Sequence, residues 1–305
     1  MDSRKRRQDV VYSFSGHESF SLRYAWLPKT IQALTEHERL FNRDDDLVIL
    51  GVGKNMVRSM RHWCAAMGLL EPPQRSIPDS PSELGRRLFT KAGWDPYLED
   101  PGTIWLLHWK LVQRPNKASA WFLAFSQFTP ESNEGFTRSE LVEWLVAKAA
   151  ERPGTRATAN SIKRDVDVFI RTYVPSEVKA TNPPEDTFDS PLAELGLIDE
   201  VNRDTFAFNQ RDKPTLDESI FLHSLLEYWQ TTAPDQRTMS FDKVAYGLGS
   251  PGAAFKLPEN ALVERLERLP KESGITLDET AGMRQLIRIS GLPDPLTVLE
   301  AYYAS

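Results

Sequence analysis

A run of cationic and amide side chains within residues 51–67 has the composition of a nucleic-acid contact. Read at helical pitch, one apolar stripe runs through Met56, Val57, Met60, Trp63, Cys64 and Met67. The polar residues that fall largely outside this stripe are Lys54, Asn55, Arg58, Arg61 and His62. Because cations can bind phosphates or guanine edges and an amide can bind adenine, the pattern predicts a DNA-recognition helix. The alternative is a solvated helix face without a partner.

A histidine and a glutamate stand side by side at His17 and Glu18. Such a pair can move protons, which makes both residues candidate catalytic groups. The alternatives for His17 are a ligand or a packed polar residue. Glu18 also completes the capping-box pattern that starts at Ser15, and this pattern predicts a helix beginning near Gly16. Ser21 stands where a His-Glu-x-x-His motif needs its second histidine, which excludes that zinc motif.

Three carboxylates follow one another at Asp95, Glu99 and Asp100, and His108 comes soon after. Carboxylates can hold a divalent cation for phosphodiester chemistry. We therefore assign Asp95 as a candidate catalytic residue, and Glu99 and Asp100 as candidate ligands of Mg²⁺ or Mn²⁺. The alternative is that these residues cap helices and turns. The single cysteine, Cys64, excludes a multi-cysteine zinc site, so no zinc is expected.

A second amphipathic helix with cations on its polar face is predicted over residues 161–173. Its apolar stripe consists of Ile162, Val166, Phe169, Ile170 and Tyr173. The cations predicted to extend the DNA-binding surface are Lys163, Arg164 and Arg171. Two aspartates, Asp165 and Asp167, stand among these cations. They could hold a metal next to a phosphate, or they could be salt-bridging surface residues.

The sequence Gly51-Val-Gly-Lys54 has some likeness to a phosphate-binding loop. The full motif needs a glycine where Val48 stands and a hydroxyl side chain where Asn55 stands. No nucleotide is therefore expected at this place. The glycines are better explained by a helix-turn-helix corner that needs positive φ angles.

The surrounding sequence predicts the elements that position these side chains. A short helix over residues 46–50 and the glycine turn precede the first basic helix, which is a helix-turn-helix arrangement. An Asp-Ser-Pro sequence follows each basic helix, at Asp79 and again at Asp189, which indicates a weak internal repeat. Hairpins are predicted at residues 199–210, as a wing, and at residues 274–289. The predicted fold class is mainly α, α+β, with tandem winged-helix or helix-turn-helix modules and short β-hairpins.

Three further helices and a linker complete the expected pattern. Capping boxes at Thr137-x-x-Glu140 and Thr215-x-x-Glu218 predict helix starts. An apolar helix is expected over residues 103–112, and residues 120–128 read as a strand or a buried helix. Residues 175–184 read as a loop or linker. We expect three modules: a DNA-binding winged helix at 1–115, a second winged helix at 116–235 and an acidic helix-hairpin module at 236–305.

Charge is distributed unevenly over the 305 residues, whose formal net charge is −6. Residues 1–75 carry 12 basic and 9 acidic side chains, residues 76–175 carry 13 and 12, and residues 176–305 carry 12 and 22. Phosphate binding is therefore expected in the first half, where Arg4 to Arg7 form a basic arm. The acidic last third is expected to face a partner protein. Neither a membrane span nor a signal peptide is predicted, and the expected location is the cytoplasm.

Several long sequence blocks resemble one bacterial domain family of formerly unknown function. These blocks are Phe14-Ser-Gly-His-Glu-Ser-Phe-x-Leu-Arg-Tyr-x-Trp26, Gly51-Val-Gly-Lys-Asn-Met-Val-Arg58, Trp94-Asp-Pro-Tyr-Leu-Glu-Asp-Pro101 and Asp189-Ser-Pro-Leu-Ala-Glu-Leu-Gly196, with later blocks around Ser250, Phe255 and Glu279. The resemblance covers nearly the whole chain. The family is similar to SspB, the DNA-nicking component of the Ssp DNA phosphorothioation system.

The resemblance implies binding of double-stranded DNA and strand nicking, in DNA modification and phage defence. It also implies partner proteins: a cysteine desulfurase, an ATPase and an ATP-pyrophosphatase-like protein. It brings no catalytic residues, and the sequence has no nuclease motif, so enzymatic activity stays open. The rival hypothesis is a non-catalytic DNA-binding adaptor or regulator that positions a sulfur-transfer enzyme on DNA. A pure protein-interaction scaffold is a third possibility.

Overall fold

The computed structural model describes residues 11–37, 39–42, 46–75, 77–132, 134–175, 190–280 and 282–305. In these residues the α-helices are α1 (Trp26–Glu36), α2 (Asp46–Leu50), α3 (Lys54–Ala66), α4 (Glu83–Phe89), α5 (Pro101–Val112), α6 (Ser119–Ser126), α7 (Arg138–Ala150), α8 (Ala159–Tyr173), α9 (Glu218–Thr232), α10 (Phe241–Tyr246), α11 (Pro251–Phe255), α12 (Glu259–Glu267) and α13 (Pro295–Tyr303). The strands are β1 (Phe136–Thr137), β2 (Ile198–Asn202), β3 (Thr205–Phe208), β4 (Thr238–Ser240), β5 (Ile275–Thr280) and β6 (Met283–Arg288). The predicted α+β class is confirmed. The basic arm, most of the predicted linker and Asp189 lie outside the described residues.

The N-terminal segment does not form the helix predicted near Gly16, and that prediction is wrong. Ser15, Glu18 and Ser19 have φ angles of 76°, 48° and 65°, which a right-handed helix cannot accommodate. The first described helix, α1, begins at Trp26. Long-range hydrogen bonds hold residues 15–20 in a loop, and they override the local capping pattern.

The first unit, residues 26–89, packs α1, α2 and α3 together before the chain reaches α4. Gly51 has a φ of 58° at the turn between α2 and α3, as expected, whereas Gly53 has an ordinary φ of −69°. The predicted apolar stripe of α3 is buried, with Met60, Trp63 and Cys64 fully enclosed. After α3 the chain forms a single antiparallel bridge between residues 70 and 81.

The second unit, residues 119–208, follows the order α6, β1, α7, α8, β2, β3. Its sheet is antiparallel with strand order β1-β3-β2, so the hairpin predicted at 199–210 is confirmed. The side chain of Thr137 caps α7 by accepting the backbone N–H of Glu140, as its pattern predicted. Residues 119–126 are helical and buried, which resolves the open alternative in favour of a buried helix.

The third unit, residues 218–288, repeats this order with α9, β4, the helices α10 to α12, β5 and β6. Its strand order β4-β6-β5 corresponds to that of the second sheet, and the hairpin predicted at 274–289 is confirmed. Asp217, one residue before α9, caps that helix, so the cap predicted at Thr215 is wrong. The chain then continues into α13, which packs on α9.

One continuous apolar core joins the three units. Helix α5 is buried along nearly its whole length and packs against α6, α9 and α11. The tryptophans predicted to be core residues, Trp105, Trp109 and Trp121, are at most 1% exposed. Trp63 of α3 and Trp121 of α6 meet edge to face at 5.4 Å, which connects the first and second units. Among the residues that the structure describes, no helix is long and apolar enough to cross a membrane.

Candidate nucleic-acid interface

Helix α3 presents its predicted cations to solvent while its apolar stripe enters the core. Lys54, Asn55 and Arg58 are exposed. Arg61 is also exposed, and its guanidinium makes a two-point ion pair with Asp79, at 2.9 Å from Nε and 3.1 Å from Nη2. The carboxylate of Asp79 therefore neutralises part of the charge on Arg61. Lys54, Asn55 and Arg58 are therefore the stronger candidates for phosphate contact.

The start of α3 lines a pocket of about 620 Å³. The N-cap is Gly53, which has no side chain to bond the first backbone N–H groups of the helix. The pocket wall includes Arg23 and Lys54 together with the glycine turn. A helix start carries positive partial charge from its aligned peptide dipoles, so this end of α3 favours an anion.

Helix α8 presents a second set of exposed cations, Lys163, Arg164 and Arg171. The guanidinium of Arg171 connects its own helix to the N-terminal segment: its Nε donates to the carbonyl oxygen of Asp167 at 3.2 Å, and its Nη2 donates to that of Ser19 at 2.8 Å. Asp167 lies 3.7 Å from Arg138, which fits the salt-bridging alternative for that residue.

The loop formed by residues 15–20, which we call the seam loop, lies between the two basic helices. Nη1 of Arg58, on α3, is 4.0 Å from the carboxylate of Glu18. Arg171, on α8, is bonded to Ser19, the next residue of the loop. Since consecutive Cα atoms are about 3.8 Å apart, cations from both helices meet at neighbouring positions. Glu18 is half-exposed at this seam, with 36% of its side chain accessible.

His17 is the buried residue of the seam loop, with 2% of its surface exposed. Its Nδ1 accepts the backbone N–H of Ser19 at 3.1 Å, so Nε2 carries the ring proton. Nε2 donates that proton to the carboxylate of Asp165 at 3.0 Å. Both ring nitrogens are thus engaged within the protein. Catalysis by His17 stays a prediction, and in this structure the ring joins the seam loop to α8.

His62 lies under the same loop rather than with the exposed cations of α3. A Cβ atom on Gly16 would come within 2.4 Å of its Nδ1, so the loop passes over the imidazole in close contact. Burial lowers the pKa of His62 to about 3, and the neighbouring His17 and Lys117 act in the same direction. The ring is therefore neutral at physiological pH. Its predicted contact with DNA stays a prediction.

The carboxylates of Asp95 and Asp100 accept hydrogen bonds that stabilise the local turn and the start of α5. Asp95 is 5% exposed and accepts the backbone N–H groups of Glu99 and Asp100 at 2.8 and 3.1 Å. Asp100 caps α5 by accepting the N–H of Gly102 at 2.6 Å, and it also accepts the hydroxyl of Tyr302 at 2.7 Å. The carboxylates of Asp95 and Asp100 thus point to backbone groups and a tyrosine. Glu99 is exposed.

His108, the imidazole that follows this cluster, is buried elsewhere. It is bonded to the hydroxyl of Tyr173 and to the carbonyl oxygen of Ala254. Within the described part of the chain, no three His, Cys, Asp or Glu side chains are grouped to hold a metal ion. The residues of this region therefore do not fit a converging divalent-metal site. Metal binding by Glu99 and Asp100 stays a prediction.

Asp165 is the site residue whose place the sequence analysis missed. It is 1% exposed on the inner face of α8, where it accepts bonds from the seam loop. Its spacing gave a usable signal, because Asp165 falls on the apolar stripe between Ile162 and Phe169. A carboxylate on a core-facing stripe must find buried donors, which indicates a long-range partner.

Comparisons with known proteins agree on one relationship. The model of a family described as a protein of unknown function, DUF4007, matches residues 14–303. A solved structure described as a magnesium ion-bound SspB crystal structure is similar at 31% identity and a TM-score of 0.84, over 96% of this chain and 88% of that chain. A second, described as an SspB crystal structure, is similar at 30% identity and a TM-score of 0.85, over 98% and 90% of the two chains. No curated protein sequence matches the chain.

Proposed function

The chain belongs to the DUF4007 family, and we propose that it is a DNA-binding protein that introduces single-strand nicks during phosphorothioate modification and phage defence. The observation that carries DNA binding is the convergence of exposed cations from α3 and α8 on the seam loop, through Arg58 at Glu18 and Arg171 at Ser19. Cations that gather on one surface neutralise adjacent phosphates and release condensed counterions.

The order of elements supports an interpretation as tandem winged helices. In the second unit a helix, a strand, two helices and a hairpin follow one another, and the first strand pairs with the last. This is the arrangement in which the helix before the hairpin enters the DNA major groove. That helix is α8 in the second unit. In the first unit α3 follows the glycine turn in the same position, so α3 and α8 are our candidate recognition helices.

The DNA-modification context comes from the similarity to SspB, at 30–31% identity over almost the whole chain. We infer that this chain works with a cysteine desulfurase, an ATPase and an ATP-pyrophosphatase-like protein, in the cytoplasm. The module at 236–305 is our candidate for contact with those partners. One of the two similar structures is magnesium ion-bound, which supports Mg²⁺ or Mn²⁺ as the ion to test.

A non-catalytic adaptor is the second candidate function, and two observations favour it. His17 is buried with both ring nitrogens bonded. The carboxylates of Asp95 and Asp100 are likewise committed to backbone groups. An adaptor with the same basic surface would position a sulfur-transfer enzyme on DNA without cutting it.

Salt-dependent DNA binding tests the first part of the proposal. Lys54→Ala with Arg58→Ala should weaken duplex binding by about tenfold at low salt and reduce the salt slope by about two. The matched control is Arg268→Ala with Lys271→Ala, which removes two exposed cations from the third unit and should leave the affinity unchanged. Equal affinity of the first double variant and the wild type would contradict the assigned surface.

A nicking assay on supercoiled plasmid separates the two functions. The lanes hold Mg²⁺, Mn²⁺ or EDTA, with wild type, the Lys54/Arg58 double variant and His17→Ala. Metal-dependent conversion to open circles that the double variant loses supports the nickase. Salt-sensitive binding without any conversion, even with the partner proteins present, supports the adaptor.

A further inference from the structure

We propose that Asp165 and His17 are positioning residues that fasten the seam loop to α8, so that Arg171 and Arg58 present one continuous phosphate-binding surface. This inference rests on the proposed DNA binding and deepens it. It assigns the two residues a role that requires neither of them to touch DNA. It also makes α3 and α8 a composite site for one duplex rather than two separate sites.

The fastening begins at Asp165. Its Oδ1 accepts the backbone N–H of Ser15 at 2.7 Å and the Nε2–H of His17 at 3.0 Å. The carboxylate is 1% exposed, so these bonds replace the water that it gives up on folding. A buried carboxylate that lost them would be left unsatisfied, and this makes the attachment of the loop strongly favoured.

Two further hydrogen bonds connect the loop back to α8. Nδ1 of His17 accepts the N–H of Ser19 at 3.1 Å, and the carbonyl oxygen of Ser19 accepts Nη2–H of Arg171 at 2.8 Å. Asp165 and Arg171 are both on α8, so the bonds form a closed circuit from α8 through the loop and back. The side chain of Arg171 is held at the seam by its Nη2 bond to Ser19 together with its Nε bond to the carbonyl oxygen of Asp167 in α8.

The backbone of the seam loop indicates that these hydrogen bonds hold it in an unfavourable conformation. Ser15, Glu18 and Ser19 all have positive φ angles, which non-glycine residues rarely adopt. Such conformations persist only where the surroundings determine them. Without the bonds from Asp165 and His17, the loop would relax toward ordinary angles. Arg171 would then lose its acceptor in the loop and keep only the carbonyl oxygen of Asp167, and Glu18 would leave its place beside Arg58.

Glu18 adds a charge effect at the same position. Its carboxylate lies 4.0 Å from Arg58, so an arriving phosphate must replace it as the partner of that guanidinium. A fixed negative charge at the seam therefore weakens indiscriminate phosphate binding. Glu18→Gln should tighten duplex binding about threefold, opposite in sign to the effect of Arg58→Ala.

A double-mutant cycle between a buried residue and an exposed one tests the positioning role. Asp165→Ala should weaken binding of a 20-base-pair duplex about fivefold and lower the salt slope by about one. Arg171→Ala should have a similar effect in the wild type but less than a twofold effect in the Asp165→Ala background. Asp165→Asn keeps an acceptor oxygen and should restore most of the affinity. Lys54→Ala should keep its full effect in every background.

The outcomes separate this inference from the proposed function. A folded Asp165→Ala protein with wild-type affinity, or an undiminished Arg171→Ala effect in that background, would overturn the positioning role alone. Absence of salt-sensitive binding in the wild type would overturn the proposed function. Amide hydrogen exchange then still tests the circuit. The N–H groups of Ser15 and Ser19 should be protected in the wild type and exchange at least tenfold faster in His17→Ala, and an unprotected wild type would contradict the circuit.

Discussion

The second and third units share an order of elements but differ in the charge of the helix that precedes the hairpin. In the second unit α8 exposes Lys163, Arg164 and Arg171. In the third unit α12 exposes Glu259, Glu264 and Glu267. The equivalent strand orders, β1-β3-β2 and β4-β6-β5, show that the same architecture carries both surfaces. The architecture therefore does not decide the partner, which depends on the exposed side chains.

The two helices also differ in how they are fastened to the preceding chain. Asp165 of α8 is a buried anion that accepts N–H groups from the seam loop. Arg265 of α12 is a buried cation that donates to the carbonyl oxygens of Leu216 and Lys213, both at less than 3 Å. The same structural task is thus performed with opposite charge. The helix with exposed cations has a buried anion, and the helix with exposed carboxylates has a buried cation.

The largest effect is expected from removing the buried cation of the third unit. Arg265→Met should lower the free energy of unfolding by about 3 kcal/mol, because two buried carbonyl oxygens lose their donor. Urea denaturation measures this loss. Arg268→Met, at an exposed position after the same helix, is the matched control and should change the stability by less than about 0.5 kcal/mol. Similar losses of stability for both variants would contradict a stabilising role for the bonds from Arg265 to the preceding chain.

Charge reversal on the two corresponding helices tests whether they differ in function. Lys163→Glu with Arg164→Glu should weaken duplex binding about 30-fold at low salt, or about 2 kcal/mol, because two phosphate contacts become repulsive. Glu264→Lys with Glu267→Lys in the third unit should not weaken it. Fluorescence anisotropy over a salt series measures both. Equal losses in the two units would remove the distinction between them.

The pH dependence of stability tests the joint between these units. The buried ring of His108 is bonded to Tyr173 of α8 and to the carbonyl of Ala254 in α11. Burial lowers its pKa from 6.5 to about 4. Between pH 6.5 and pH 4, His108 is therefore protonated in the unfolded chain and neutral in the folded protein. The stabilisation is complete above pH 6.5 and falls by about 1.4 kcal/mol per pH unit as the pH drops through this window.

His108→Gln should remove that contribution and flatten the pH profile of unfolding by the same amount. His62 titrates in the same window, because burial lowers its pKa to about 3, so His62→Gln is the control that separates the two rings. Denaturation curves at half-unit steps from pH 4 to pH 7 measure the slopes. An unchanged slope in His108→Gln would mean that the joint does not depend on a neutral imidazole.

The smallest effect is expected at the two hairpin tips. Arg203, between β2 and β3, and Met283, at the start of β6, are both exposed. Arg203→Ala should weaken duplex binding about twofold if the hairpin of the second unit contacts a phosphate. Met283→Ala, on the third unit, should have no effect on DNA binding. A larger loss of affinity for Met283→Ala than for Arg203→Ala would indicate that DNA contacts the third unit rather than the second.

Helix positions were the most predictable part of this fold. The stripe of α3 was visible because Met60, Trp63 and Cys64 recur at helical spacing, and the cap of α7 was visible because Thr137 and Glu140 have the required separation. Both depend on contacts within one turn or one face. The two hairpins were predictable for a similar reason, since their strands are close in sequence.

The seam loop was not predictable, although its sequence contains a capping box. The local pattern at Ser15 and Glu18 favours a helix, but Asp165 takes the backbone N–H of Ser15 from 150 residues away. That bond, with the buried imidazole of His17, has no local signature. The helix preference of the local sequence is overcome by the bond to Asp165, which forms only because α8 packs against the N-terminal segment.

The sequence by itself determined most of the helices, both hairpins and which helices carry cations, because periodicity and charge are properties of neighbouring residues. Tertiary structure alone decided that Arg58 and Arg171 meet at one loop, and that His17, Asp95 and Asp100 are bonded to groups inside the protein. The physical reason is that a buried polar group must find its partner in space. That partner belongs to whichever distant segment the apolar core brings against it.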